Sequence, residues 1–260
     1  MVQGVQSSIG KLFDSLLSYS QIETAWMVGS ATNNPEENSD IDLLLLFNSY
    51  DMNKHATKIE ALLRNRFSRI SFDYSDDSII CSLKDTPKVG IALHLRSDVV
   101  LKVKQYAAGV NLDGLHKTWA AGYWMPEALC ADIAFSQLIS SSKETDSYLK
   151  EIVLPYPQKM SEAICNLCKE EIQCKLSRLT NKVSPIELSI LLMDIVSAII
   201  RYTFAKDRYY LRGFKRIDLQ KNLLSSSSRK LIGLAEKLTQ NNQLSTEILK
   251  IRKEILQCVI

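Results

Sequence analysis

The chain has 260 residues, of which 46% are hydrophobic and 23% are charged, as in an ordinary globular protein. Lysine and arginine (32) exceed aspartate and glutamate (29) by only three, so the overall charge disfavours nucleic acid as a partner. No uninterrupted apolar run approaches the roughly 20 residues that span a bilayer, and the N-terminus lacks the pattern of a signal peptide. We therefore expect a cytoplasmic protein with no membrane partner.

The first half of the chain combines helical and extended patterns. Apolar residues recur at helical spacing from about Ser7 to Ser18 and from Lys54 to Phe67. Five short stretches, bounded by polar turns, have the composition of strands: Thr24–Val28, Ile41–Phe47, Arg69–Tyr74, Ser78–Lys84 and Val89–Arg96. This mixture predicts an α/β domain with a central sheet.

The second half is predicted to be helical. Helical spacing of apolar residues covers Glu127–Ile139, Gln158–Leu179, Ile186–Ala205, Arg229–Leu238 and Thr246–Gln257, with Ser225–Ser228 as a loop. The change of pattern places a boundary between Asp98 and Pro126. We predict the α+β class, in which a mixed-sheet domain (residues 1–115) precedes an all-helical C-terminal domain (residues 116–260).

The most informative pattern lies at the start of the second predicted strand. A strand ends in Gly29-Ser30, nine residues intervene, and Asp40-Ile41-Asp42 leads into an apolar run. Alternation along a strand puts both carboxylates on one side, about 6 to 7 Å apart, where one divalent cation can bind them. Gly29 lets the backbone approach a phosphate, and Ser30 can donate a hydrogen bond to it. Two acids at a strand end alone predict only a solvated edge, so the combination carries the prediction.

These residues resemble the signature of the DNA polymerase beta-like nucleotidyltransferase superfamily. The resemblance implies that Gly29 and Ser30 bind a nucleoside triphosphate such as ATP, and that Asp40 and Asp42 bind Mg²⁺. It also implies transfer of a nucleoside monophosphate to a hydroxyl of a small molecule or a protein. The likeness is clearest over Thr24–Phe47. The arrangement of an N-terminal catalytic domain and a helical C-terminal domain is similar to that of antibiotic nucleotidyltransferases.

Superfamily enzymes usually supply a third carboxylate from a later strand, and this chain departs from that pattern. On the predicted strand Val89–Arg96, the corresponding face carries Gly90, Ala92 and His94, none of them acidic. His94 is a candidate substitute base or ligand, and a structural strand histidine is the alternative. Asp73 is a second candidate for the missing carboxylate. Without a third group, the chain would be a catalytically degenerate partner protein of the toxin-antitoxin or defence type.

Three features of the second half have both structural and functional interpretations. Cations and tyrosines alternate between Arg201 and Arg216, where Lys215 and then Lys206 are our candidates for contacting the triphosphate. The aromatic cluster of Trp119, Tyr123 and Trp124 fits core packing or a wall of an acceptor site. The three cysteines between residues 165 and 174 lack the spacing of a zinc site, so we expect them to pack as small apolar residues.

Overall fold

The computed structural model describes residues 2–32, 40–49, 51–67, 70–75, 78–83, 88–113, 125–140, 143–180, 183–214, 217–240 and 246–259. By its contacts the chain forms two compact units. The first unit comprises Met1–Lys104 and Asp132–Val153, and the second comprises Gln105–Ala131 and Leu154–Ile260. The first unit carries the sheet, and the second is built from helices.

The elements of the first unit begin with a helix and a strand that leads into a short 3₁₀ turn at Gly29–Thr32. Its strands are β1 (Ile22–Val28), β2 (Ile41–Phe47), β3 (Ile70–Ser75), β4 (Ser78–Leu83), β5 (Val89–Leu95) and β6 (Gln137–Leu138). Its helices are α1 (Val2–Leu17), α2 (Met52–Arg66) and α5 (Glu144–Val153). Helices α3 (Arg96–Ala107) and α4 (Pro126–Phe135) run across the division between the units.

The six strands form one mixed sheet in the order β3-β4-β5-β2-β1-β6. Strand β2 lies at its centre, antiparallel to β1 and parallel to β5. The remaining pairs, β3 with β4, β4 with β5, and β1 with β6, are antiparallel. Together with the helices of the second unit, this sheet confirms the predicted α+β class.

One face of the sheet packs against α1 and α2. The core on this side contains alternate residues of β2 and β5 with Leu12 and Leu16 of α1 and Ile59 and Leu63 of α2. The other face of β2 carries Asp42, Leu44 and Leu46, and both leucines are buried too. A strand covered on both faces is continuously apolar, which explains the four consecutive leucines after Asp42.

The second unit contains a long apolar helix among shorter ones. Apart from the parts of α3 and α4 that belong to it, its helices are α6 (Gln158–Arg178), α7 (Pro185–Lys206), α8 (Ile217–Gln220), α9 (Ser226–Thr239) and α10 (Thr246–Val259). Within the described residues, α7 is the one helix long and apolar enough to cross a membrane. However, 67% of its apolar window is buried inside the protein, as expected of a core helix. The helix begins at Pro185. The preceding residue, Ser184, caps it, and its side chain accepts a hydrogen bond from the Glu187 amide.

Three local predictions differ from the structure. Strand β6 replaces the end of the helix predicted to reach Ile139, because β6 pairs with Trp26 and Met27 at the edge of β1, and helix α5 follows it. The segment Asp132–Val153 therefore belongs to the first unit, whereas the predicted division after residue 115 puts it in the second domain. Helix α9 starts inside the predicted serine loop, with Ser225 accepting a hydrogen bond from the Ser228 amide as its N-cap.

Candidate functional site

The predicted site residues of the first unit lie at one end of the adjacent strands β1 and β2. Val28, the last residue of β1, pairs with Asp42 of β2, so the Gly29–Thr32 turn begins beside Asp42. Asp40 directly precedes β2 and is exposed, whereas Asp42 is half-buried. The Ile41 amide donates a 2.9 Å hydrogen bond to the carbonyl of Lys88, which fixes the start of β2 against the start of β5.

The carboxylate of Asp42 lies between two glycines. A methyl group built on Gly29 would lie 2.5 Å from Asp42 Oδ2, and one built on Gly90 would lie 3.1 Å from Asp42 Oδ1. Gly29 has φ +72°, a conformation that favours glycine. The turn thus brings bare backbone to one oxygen of the carboxylate, and β5 brings bare backbone to the other.

The turn after β1 contains a hydrogen bond between a side chain and the backbone. The Thr32 hydroxyl donates a 2.8 Å hydrogen bond to the carbonyl of Gly29. Ser30 lies within the same 3₁₀ turn, but its side chain falls outside the described part of the structure. Its predicted contact with a phosphate stays a prediction.

The structure does not bring His94 beside the two aspartates. In the parallel pair of β2 and β5, Asp42 lies opposite Gly90, and His94 lies opposite Leu46. His94 shares the face of Asp42, as alternation predicted, but it is four residues beyond Gly90, roughly 13 Å along the strand. Alternation specifies the face and not the register, so this placement corrects the expectation that His94 reaches the metal ligands.

Asp73 is displaced across the sheet instead of along it. The pairing places Asp73 opposite Ile80, Ile80 opposite Gly90, and Gly90 opposite Asp42. Asp73 is therefore in the same row and on the same face as Asp42, but three strand spacings away, roughly 14 Å. Its side chain is exposed. It does not complete a carboxylate cluster with Asp42.

The predicted cation cluster of the second unit divides into residues with different surroundings. Arg201 is buried and forms a bidentate ion pair with Glu127, at 2.6 and 2.8 Å, so its charge is already compensated within the protein. Lys206 is exposed at the end of α7, with Nζ 5.7 Å from the centre of the Tyr202 ring. Lys215 and the aromatic cluster of Trp119, Tyr123 and Trp124 lie outside the described residues.

The donor set at the start of β2 fits a cation that also binds phosphates. Across the ranges that the structure describes, no group of three or more histidine, cysteine or acidic side chains is placed to hold a metal. Mg²⁺ commonly uses one or two carboxylates together with substrate phosphates and waters. Asp40 and Asp42 match that requirement, and a site of this kind would depend on the nucleotide for its remaining ligands.

Gly90 is the residue that the sequence interpretation undervalued. In the sequence it is only a position without an acid, although a glycine inside a strand is a signal that another group approaches the backbone closely. The sequence could not identify that group, because the partner of Gly90 depends on which strand lies beside β5. The structure shows that the partner is Asp42.

No protein-family model matches the chain, and no curated protein matches it. Among solved structures, a nucleotidyltransferase-like protein from Exiguobacterium sibiricum 255-15 overlaps with 99% of this chain and 75% of its own, at 10% identity and a TM-score of 0.44. Spectinomycin adenyltransferase AAD(9) from Enterococcus faecialis, solved with ATP and spectinomycin, overlaps with 98% of this chain and 99% of its own, at 13% identity and a TM-score of 0.39.

These neighbours are nucleotidyltransferase-like proteins. A third, terminal uridylyl transferase 4 from Trypanosoma brucei with bound GTP, overlaps with 84% of this chain, at 9% identity and a TM-score of 0.33. This chain spans 51% of that protein. At such distances in sequence and coordinates, no substrate or residue role transfers to this chain.

Proposed function

We propose that this chain is a Mg²⁺-dependent nucleotidyltransferase that binds a nucleoside triphosphate at the Gly29 turn and the Asp40 and Asp42 carboxylates. The proposal is supported chiefly by the position of the Asp42 carboxylate, which lies against the bare backbone of Gly29 at the end of β1. A turn without a side chain at Gly29 can bring its backbone close to phosphate oxygens, and a carboxylate stands beside it. The acceptor would be a hydroxyl of a small molecule or a protein.

In the proposed reaction, the acceptor oxygen forms a bond to the α-phosphorus of the triphosphate. The bond between the α-phosphorus and the bridging oxygen breaks, and pyrophosphate leaves with the electron pair. Mg²⁺ held by Asp40 and Asp42 together with the phosphates would neutralise charge on the phosphate oxygens. The chain's own contribution would be positioning, because the turn would bind the phosphates and the two carboxylates would hold the cation beside them. The acceptor proton would pass to Asp40, Asp42 or solvent.

The first test separates metal-dependent binding from folding. We expect Asp40→Asn and Asp42→Asn each to lower the affinity for a non-hydrolysable triphosphate with Mg²⁺ by at least about tenfold, because each removes a charged oxygen ligand. Calorimetry would measure the affinity, and circular dichroism would check the fold. Asp14→Asn, an exposed acid on α1, is the matched control. Unchanged affinity in both site variants would disprove the site assignment.

A second candidate function is nucleotide binding without transfer, in a partner protein that keeps the fold. It is favoured by one observation: the strand position nearest Asp42 on β5 is Gly90, and His94 and Asp73 both lie over 10 Å away by register. Pyrophosphate release, measured with all four ribonucleoside triphosphates and a panel of hydroxyl acceptors, distinguishes the two. Release that is lost in Asp42→Asn supports transfer. Tight Mg²⁺-dependent binding without release supports the second candidate.

Lys206 and Lys215 remain proposed triphosphate contacts on the strength of the sequence pattern alone. If they bind phosphate, Lys206→Gln and Lys215→Gln should each weaken triphosphate affinity in the same calorimetric experiment while leaving diphosphate affinity less affected. An exposed lysine of the same helical half, Lys237→Gln, serves as the control.

A further inference from the structure

We infer that Gly90 is a positioning residue for the Asp42 carboxylate, and that its missing side chain is what sets the orientation of that metal ligand. The inference rests on the proposed function, since it concerns the same site. Gly90 pairs directly with Asp42 and lies on the same face of the sheet. Neighbouring strands are about 4.8 Å apart, so two ordinary side chains in such a pair would stand side by side. Here the Asp42 carboxylate occupies the space over β5.

The conformation of Gly90 does not explain why glycine is present. Among the described residues, positive φ values occur at Gly29, Gly109 and Gly213 and at two other residues, but Gly90 is not one of them. Its backbone is that of an ordinary strand, which any residue adopts. Glycine inside a strand costs stability because it adds chain entropy and packs nothing. The remaining reason for a glycine is lack of space for a side chain. Asp42 Oδ1 lies 3.1 Å from the position that a methyl group on Gly90 would occupy.

Gly29 restricts the same carboxylate from the other side. A methyl group there would lie 2.5 Å from Asp42 Oδ2. Each oxygen of one carboxylate therefore faces a bare backbone, one from the turn after β1 and one from β5. We call this arrangement, formed by Gly29, Asp42 and Gly90, the glycine slot. A methyl group at position 90 would contact Asp42 Oδ1 more closely than side chains ordinarily do, so the carboxylate would have to shift by a few tenths of an ångström.

The glycine slot affects how the Asp42 carboxylate can bind a cation. A carboxylate presented in one orientation binds a cation and phosphates with less loss of rotamer freedom than a freely rotating one. The same slot leaves no room for an acid at position 90 unless Asp42 moves. The absence of a side chain at position 90 therefore has two effects. It leaves room for the Asp42 carboxylate in its present orientation, and it means that this position of β5 supplies no third carboxylate.

The test compares Gly90→Ala with Ala92→Gly, the next residue on the same face of β5, which pairs with Leu44 instead of Asp42. Calorimetry would use a non-hydrolysable ATP analogue and its GTP, CTP and UTP counterparts, each with Mg²⁺ and with EDTA. For Gly90→Ala we expect about a tenfold loss of the Mg²⁺-dependent affinity, an EDTA affinity within about twofold of wild type, and an unchanged or higher Tm. For Ala92→Gly we expect a lower Tm with the Mg²⁺-dependent affinity retained. A purely structural role for Gly90 would not separate affinity from Tm in this way.

Crystal structures of the wild type and of Gly90→Ala give a readout that needs no nucleotide. We expect the Asp42 carboxylate to shift or rotate in Gly90→Ala and to keep its position in Ala92→Gly. If wild-type protein fails to bind any of the triphosphates, the proposed function is wrong, and the comparison of carboxylate positions still decides the inference. An unmoved Asp42 carboxylate, or unchanged Mg²⁺-dependent affinity in Gly90→Ala when the wild type binds, would overturn it.

Discussion

His55 is a buried histidine held by two hydroxyl groups, one of them 36 residues away in sequence and the other six. Tyr19 Oη lies 2.8 Å from Nδ1, Ser49 Oγ lies 2.7 Å from Nε2, and the ring stacks on Phe47 at 4.1 Å. The neutral ring satisfies both contacts, because hydroxyls can donate to one nitrogen and accept from the other. No sequence pattern around His55 identifies Tyr19 as its partner, because the two residues are 36 positions apart.

We predict that His55 makes the first unit less stable in mild acid. Burial lowers the pKa of His55 below its ordinary value of 6.5. A lowered folded-state pKa means that the unfolded chain binds the proton more readily. The contribution of His55 is therefore fully present above the unfolded pKa and is lost as pH falls from about 6.5 toward the folded pKa. Urea unfolding at pH 7.5 and 5.5 should show a loss of stability in the wild type that is smaller in His55→Asn.

Direct NMR titration of the ring provides the control for this prediction. It reports the folded-state pKa without any assumption about which group causes the change in stability. His94→Asn should leave the His55 part of the pH dependence in place. A ring of His55 that titrates at or above 6.5 in the folded protein would contradict the prediction.

At the scale of elements, α7 is joined to α4 by a buried ion pair. Arg201 donates to both carboxylate oxygens of Glu127 and, through Nη2, to the carbonyl of Leu112 at 2.8 Å. Both side chains are almost inaccessible to water, at 10% and 6% exposure. A charge buried to this degree is costly without its partner, so the pair fixes how α4 and α7 meet.

We predict that Arg201→Met lowers the free energy of unfolding by about 3 to 5 kcal/mol, because it leaves the Glu127 carboxylate buried and unpaired. The double variant Arg201→Met with Glu127→Leu should recover part of that loss, since both charges are then absent. Arg178→Met, at an exposed position on α6, should change stability by under about 0.5 kcal/mol. Chemical denaturation of the four proteins measures this. A double variant as unstable as the single one would show that the pair itself is stabilising.

The sequence predicted those elements whose pattern is local. Apolar runs and turn residues indicated the five strands of the first half, and Pro126 indicated the start of α4, as the structure shows. Strand β6 has two residues and exists because the edge of β1 is available, which no local pattern reports. The prediction that His94 lies beside the metal ligands was wrong for the same reason. Alternation predicted its face, but the register that sets it opposite Leu46 follows from long-range pairing of β2 with β5.

At the scale of the whole molecule, each of the two compact units contains an apolar cluster of its own among the residues that the structure describes. The core of the first unit lies between the sheet and helices α1 and α2, whereas a cluster in the second unit joins α7 and α9 through Ile200, Phe204 and Ile232. Compact units can unfold in separate transitions, and a ligand stabilises the unit that binds it. The proposed carboxylate ligands, Asp40 and Asp42, belong to the first unit.

We therefore predict that differential scanning calorimetry resolves two transitions and that Mg²⁺ with a non-hydrolysable triphosphate raises one of them. Two variants already described assign the transitions: Arg201→Met should lower that of the second unit, and His55→Asn that of the first. A ligand at 100 times its Kd stabilises the folded form by about 2.7 kcal/mol, which is large enough to separate the curves. The shift should be absent in Asp42→Asn and should require Mg²⁺, because the carboxylates bind the nucleotide through the cation. Stabilisation confined to the transition that Arg201→Met lowers would place the nucleotide on the second unit and contradict the assignment of Asp40 and Asp42.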